Sequence, residues 1–190
     1  MRPNYRDNKE QQQVKEEYAI VLDVVLSGQN SFKDNETVQA IGTNNFTLLE
    51  LVPKQGVILK SGDKVYIGEG KRDEIQYIKR SLFFDKLSAS GKSELLFIIT
   101  DIVNSKEEYY VNFFNNAGPI TIRKHSLELV SGIGKKHLTE LLEERHVKPF
   151  ESFEDIKQRC PYLPDPAKAI AQRILNEFDG KDEFKFFLRK

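Results

Sequence analysis

The chain has one cysteine, one methionine, no net charge and no long apolar run. Each shortage removes a class of protein. Cys160 alone can form no intrachain disulfide and no cysteine-ligated cluster, and His125, His137 and His146 have no zinc-ligand spacing with it. No metal and no cofactor are therefore expected. Lys and Arg number 29, as do Asp and Glu, which argues against a protein that coats nucleic acid by bulk charge. Any polyanion must be met by a local patch or by backbone amides. No stretch approaches the roughly 18 apolar residues of a membrane-spanning helix, and Met1 to Gln13 is polar, unlike a secretory signal. The expectation is a soluble cytoplasmic protein with no membrane partner and no small-molecule substrate. What is present is 39% hydrophobic residues with 13 Phe and 7 Tyr in 190 residues, enough for one large domain or two small ones.

The most informative stretch runs from Leu127 to Leu138. It reads as a short helix, a tight Gly132-Ile133-Gly134 turn, and a second helix opening on Lys135 and Lys136, with Leu138, Leu141 and Leu142 continuing at helical spacing. Two glycines one residue apart let the backbone turn where a Cβ would clash. The first amides of the following helix, its positive dipole end and the two lysines make an anion site. These residue types match the helix-hairpin-helix module, which grips a nucleic-acid phosphate without reading bases. Glycine pairs also end helices for structural reasons alone, and such hairpins also serve as scaffolds. His137 is a further candidate phosphate donor, or a helical histidine with no role.

Upstream, the pattern is of strands. Met1 to about Glu16 reads as a disordered arm. Tyr18–Leu26, Thr37–Gly42, Phe46–Val52, a strand after the Lys60–Asp63 turn, and Ile75–Arg80 are short strands with close turns, which suggests a small barrel. Gln29 to Glu36 reads as a loop, and Pro53 is expected to stop pairing. Lys60, Lys64, Lys71, Arg72, Lys79 and Arg80 interleave with Tyr66 and Tyr77, the composition of a single-strand-binding groove. Asp63, Glu69, Asp73 and Glu74 dilute its charge, and at least one of the two tyrosines is expected in the core.

After Leu82 the period becomes helical, over about Ser93–Asn104 and Lys106–Asn116, and Tyr109, Tyr110, Phe113 and Phe114 are expected to pack between domains. Thr121 is expected to cap the short helix before the glycine turn. A second hairpin follows, with Ser152 as cap, a rigid Cys160–Pro166 turn and a helix to Phe178. Proline has no N–H to offer a phosphate, so this hairpin is expected to be structural. The tail 183–189 partly alternates and is a candidate strand returning to the barrel. Nothing points to catalysis. Ser90-Gly91-Lys92-Ser93 lacks the upstream glycine of a phosphate loop and reads as a polar loop before a helix. No carboxylate pair or nucleophile–base set stands out, and Cys160 reads as a buried filler.

In this order, the sequence resembles an archaeal family of unknown function, domain of unknown function 655. The likeness rests on Asn112–Ile120, Leu127–Lys136, Leu141–Arg145 and Lys148–Ile156, and covers most of the chain after Glu17. It implies an oligonucleotide-binding-type barrel followed by helical hairpins, in a family suspected of binding RNA or DNA. Where such hairpins often carry proline before the first glycine, this chain has Ser131.

The expected fold is α+β: a disordered arm over 1–16, an OB-like β-barrel over 17–82 with 183–189 as a candidate further strand, a helical connector over 83–119, and an all-α tandem helix-hairpin-helix domain over 120–179. The expected function is non-catalytic nucleic-acid binding, RNA ahead of DNA, through backbone phosphates. Gly132, Ile133, Gly134, Lys135, Lys136 and His137 form the hairpin site. Lys64, Tyr66, Lys71, Arg72, Tyr77, Lys79 and Arg80 form a barrel surface. Ribosome- or transcription-associated proteins are candidate partners. The competing reading is a protein–protein adaptor.

Overall fold

A computed structural model of the chain describes residues 15–26, 36–180 and 184–188. The expected arm up to residue 14, and the expected loop from Gln29 up to residue 35, lie outside the described residues. Five strands, β1 (Tyr18–Leu26), β2 (Glu36–Gly42), β3 (Leu48–Pro53), β4 (Lys64–Tyr66) and β5 (Ile75–Ser81), form one antiparallel sheet in the order β4-β1-β2-β3-β5. It is curled into half a barrel. Its inner face buries Ala19, Val21, Val38, Ala40, Leu49, Leu51, Val65, Ile67 and Ile75.

A register shift between Val21 and Asp23 marks a bulge in β1. The extra residue resets the alternation of faces. Val24 thereby rejoins the inner cluster while Leu22 faces the helices. Asp23 also reaches the helices, where it accepts a hydrogen bond from Ser88 Oγ at 2.6 Å.

Several sequence expectations change here. Pro53 does not end the pairing: it sits opposite Ile75, and the Lys54 amide donates to the Glu74 carbonyl at 2.8 Å. A proline at the last position of a strand removes one donor and leaves its neighbours' groups in place. Glu16, the end of the expected arm, is fixed. Its carboxylate accepts the amides of Asn44 (2.7 Å), Asn45 (2.8 Å) and Thr47 (3.2 Å) in the β2–β3 turn. That carboxylate lies where a side chain at Gly42 would go.

The helical part begins with α1 (Ala89–Ser105) and α2 (Glu107–Asn116). Ser90-Gly91-Lys92-Ser93 is the first turn of α1, not a loop, because Ser88 caps it: Ser88 Oγ accepts the Gly91 amide at 2.9 Å. The same cap ties helix to sheet, since Gln39 Oε1 accepts the Ser88 amide at 2.8 Å. Leu95, Ile98, Ile99, Ile102 and Val103 of α1 pack in a single core with Leu22, Ile41 and Leu48 of the sheet. The segment expected as a connector is thus where sheet and helices meet.

A two-stranded hairpin follows, β6 (Pro119–Thr121) and β7 (Lys124–His125), then one 3-10 turn over Ser126–Leu129. The turn is capped by His125 rather than Thr121: the His125 ring accepts the Leu127 amide, and Glu128 returns to the His125 amide at 2.8 Å. Thr121 is held in β6. The chain ends in α3 (Lys135–Val147), α4 (Phe153–Arg159) and α5 (Pro166–Phe178). Their buried residues, including Leu141, Ile156, Ile170 and Ile174, join the core shared with the sheet.

Among the described residues the tail does not extend the sheet. Residues 184–188 form no strand. They dock on α5 through Glu177, whose fully buried carboxylate accepts the amides of Phe186 (2.9 Å), Phe187 (3.0 Å) and Leu188 (2.9 Å). Arg173 pairs with the same carboxylate at 3.0 Å. Phe187 packs its ring on Tyr110 and Phe113. Backbone amides are satisfied here by a side chain rather than by a neighbouring strand.

Candidate nucleic-acid interface

The glycine turn is built by two consecutive tight bonds. The Val130 amide donates to the Leu127 carbonyl and the Ile133 amide to the Val130 carbonyl, each at 3.1 Å. Gly132 turns the chain at φ +82°, a conformation that costs a side chain about 1–2 kcal/mol. Ile133, 4% exposed, anchors the turn in the core. Gly134 is the N-cap of α3 and its carbonyl accepts the Leu138 amide at 2.9 Å, but there is no side-chain cap. Among the described residues, the amides of Gly134, Lys135, Lys136 and His137 have no hydrogen-bond partner. Lys135 and Lys136 are exposed beside them.

The second turn supports the first. A Cβ at Gly132 would lie 2.9 Å from Pro164 Cγ, so Pro164 of the proline-rich turn lies directly against Gly132. Lys136 Nζ sits 6.0 Å from the centre of the Tyr162 ring. His137 lies beside the turn. Its Nδ1 lies 3.0 Å from the Gly132 carbonyl, which can only accept, so Nδ1 donates and the ring braces the turn.

Cys160 lies in the second turn, fully buried, where burial pushes its thiol up to about 11. At neutral pH it stays protonated and poorly nucleophilic.

The barrel residues come from the two edge strands of the curled sheet and from the segment that joins them. Lys64 and Tyr66 lie on β4, at one edge of the sheet; Tyr77, Lys79 and Arg80 lie on β5, at the other. Lys71 and Arg72 belong to the segment between them. Neither tyrosine is core: Tyr66 is half-buried and Tyr77 is 49% exposed. Tyr66 Oη accepts the Gly70 amide at 3.1 Å, and Arg72 Nε donates to the Gly68 carbonyl at 2.9 Å. Tyr66 also meets Tyr18 edge to face at 5.3 Å, with Lys64 Nζ 4.5 Å from the Tyr18 ring centre.

On β5, Lys79 and Arg80 are held by Glu50 at 2.8 and 2.5 Å. Burial pushes the Glu50 carboxyl up, but hydrogen bonds from the two cations outweigh it and hold it below its usual range. Half of the positive charge on that edge is thereby neutralised. Tyr18 and Glu50 were both absent from the sequence-derived set. Glu50 stands between Leu49 and Leu51 and opposite Arg80, a relation that needs the strand register to be seen.

The DUF655 family model, described as "Protein of unknown function", matches residues 15–189. "Uncharacterized protein MJ0038" of Methanocaldococcus jannaschii is 40% identical over 176 residues, which cover 92% of this chain and 80% of that protein. The crystal structure of Af1531 from Archaeoglobus fulgidus, also of the DUF655 family, superposes with a TM-score of 0.84 at 40% identity. The match covers 92% of this chain and 100% of that one. The chain belongs to the DUF655 family.

Proposed function

We propose that this DUF655 protein is a non-catalytic nucleic-acid-binding protein, RNA ahead of DNA, which grips backbone phosphate at the 132–137 turn as a helix-hairpin-helix module does. The observation that carries this reading is Gly134. Its backbone (φ −90°, ψ −179°) is open to any residue, and a Cβ there would meet nothing within 4 Å. Folding does not call for glycine at this position; Ser, Asp or Asn would cap α3 better. What the bare position leaves open is close approach of an anion to the uncapped amides, with Lys135 and Lys136 supplying charge without base specificity.

The sheet supports a second contact. A β1-β2-β3 meander flanked by β4 and β5 follows the strand order of an oligonucleotide-binding barrel opened between its last two strands, with the difference that β3 and β5 run antiparallel here. Tyr18, Tyr66 and Lys64 then offer a stacking and charge surface for a single strand. The preference for RNA rests on that analogy. In the competing adaptor reading both regions dock protein chains, and exposed Phe83 and Phe97 favour it.

Anisotropy titrations of labelled RNA and DNA, at low and moderate salt, separate the two. A turn that neutralises two or three duplex phosphates gives a log–log salt slope of about −2 to −3. Lys135→Glu with Lys136→Glu should abolish that binding. Unchanged binding in this variant would remove the turn from the interface. A wild-type protein that binds neither polymer at low salt would leave the adaptor reading in its place.

A further inference from the structure

The β6–β7 hairpin carries an apolar tip that folding does not explain. Thr121 pairs with Lys124, so Ile122 and Arg123 form a two-residue turn. Such turns favour Asn-Gly or Asp-Gly. Here a β-branched residue stands at the tip with its side chain wholly in solvent, at 106% exposure. Thr121, Arg123 and Lys124 beside it are exposed as well. A single exposed isoleucine is ordinary on a protein surface. This one is set apart by its place at the apex of a hairpin, by the two cations next to it, and by its neighbourhood.

That neighbourhood is the most one-sided in charge that the candidate interface touches. Between Glu108 and Glu140 the only acid is Glu128, against Arg123, Lys124, Lys135 and Lys136, so this stretch carries four positive charges and one negative in a chain of zero net charge. Glu128 is itself engaged with the His125 amide. The hairpin is closed at its base, where the Ser126 amide and hydroxyl both donate to the Gly118 carbonyl, at 3.0 and 2.6 Å, and Ser126 opens the 3-10 turn that leads to the glycine turn. Only one 3-10 turn and two further residues separate Lys124–His125 from Gly132. At the reach of extended chain and 3-10 helix, Ile122 and Gly132 lie no more than about 30 Å apart, within about nine base steps of a duplex.

We propose that Ile122 is a wedge that inserts between two neighbouring bases of the nucleic acid held at the glycine turn, with Arg123 and Lys124 on the phosphates either side. The inference rests on the phosphate-binding reading above. Apolar side chains at the tips of protruding elements unstack base steps in this way, and the unstacking is offset by contacts that the deformed polymer gains. The cations beside Ile122 hold the backbone against the tip. The wedge makes the polymer's deformability, rather than its base edges, the basis of preference.

The test uses the full-length protein with short RNA and DNA duplexes, each carrying one 2-aminopurine whose fluorescence rises when it is unstacked. Wild type should raise the signal at flexible pyrimidine–purine steps. Ile122→Ala should remove the rise while keeping binding within about tenfold. Arg123→Ser and Lys124→Ser should each lower the salt slope on duplex DNA by about 0.9. If wild type binds in a manner that depends on Lys135 and Lys136, yet no probe brightens or Ile122→Ala brightens it equally, the wedge is overturned and the phosphate reading stands. If wild type binds neither duplex, both fall together.

Discussion

Two helices of 13 residues, α3 and α5, each follow a tight turn and differ in nearly every feature of how they start. Asp165 caps α5, accepting the Lys168 amide at 3.0 Å, and Pro166 occupies its first turn. Eight of its residues are buried. In α3 only Leu141 is buried, the cap is a bare glycine, and the first turn holds two lysines against the dipole. Helices in proteins owe most of their stability to a packed face, so α5 is the anchor of this end of the molecule. α3 gives up local stability to keep donors exposed. The two are coupled, because Pro164 of the second turn supports Gly132 of the first. A turn with few amides to offer lies against the turn that has them.

The difference should be broken most severely at Glu177. Replacing it by Ala removes the acceptor of three tail amides and the ion-pair partner of Arg173 in a fully buried setting. The expected loss is about 3–5 kcal/mol, read from chemical denaturation. If α5 is only an anchor, nucleic-acid affinity measured well below the melting transition stays near wild type. A large affinity loss in protein that is still folded would give α5 a direct part in binding.

Gly132→Val comes next. It forces a β-branched residue to φ +82° and drives a Cβ to 2.9 Å from Pro164. A cost of about 2 kcal/mol or more is expected, together with loss of binding, since the turn and its brace move together. A variant as stable as wild type would mean that the two turns are not coupled. Asp165→Ala should cost less, about 1 kcal/mol for a lost cap, with binding unchanged, and a thermal melt paired with a titration checks both.

The sequence displays this contrast only in part. The glycine turn, the Ser152 cap and the proline-filled second turn follow from residues adjacent in the chain, and each is legible there. The strands β1, β2 and β5 are legible for the same reason, because β-branched runs ending at turn residues are local signals. The rest depends on partners far apart. Ser88 turns Ser90–Ser93 from loop to helix by bonding Asp23 and Gln39. Glu50 takes up Lys79 and Arg80 from another strand. The tail alternates like a strand yet docks on Glu177, since a buried carboxylate competes for its amides. Nor could spacing tell Gly132, which the fold requires, from Gly134, which it does not.

A smaller effect lies in the path leading to the first turn. His125 caps the 3-10 turn as a neutral acceptor, and burial, then the charge of Arg145, holds its pKa below the usual value against a pull upward from Glu128. A histidine depressed in the folded state stabilises fully above its unfolded pKa of about 6.5 and loses that contribution as pH falls below it. His125→Asn keeps a side-chain acceptor and does not titrate. The melting-temperature advantage of wild type should therefore shrink between about pH 7 and pH 5. An advantage that stays constant over that range would leave the cap without a titrating part.

The smallest change in stability carries the sharpest test of the contrast. Gly134→Asp gives α3 the cap that α5 already has, in a backbone that accepts it and a space that is empty. Folding should gain a few tenths of a kcal/mol, the margin of a good cap over glycine. The same carboxylate would occupy the amides and repel a phosphate, so binding should fall as far as it does on reversing both lysines. Gly134→Ser separates the two causes, since it caps without charge and should lose less affinity. If Gly134→Asp binds as wild type does, the amides of this turn are not where the phosphate sits, and α3 differs from α5 for a reason other than nucleic acid.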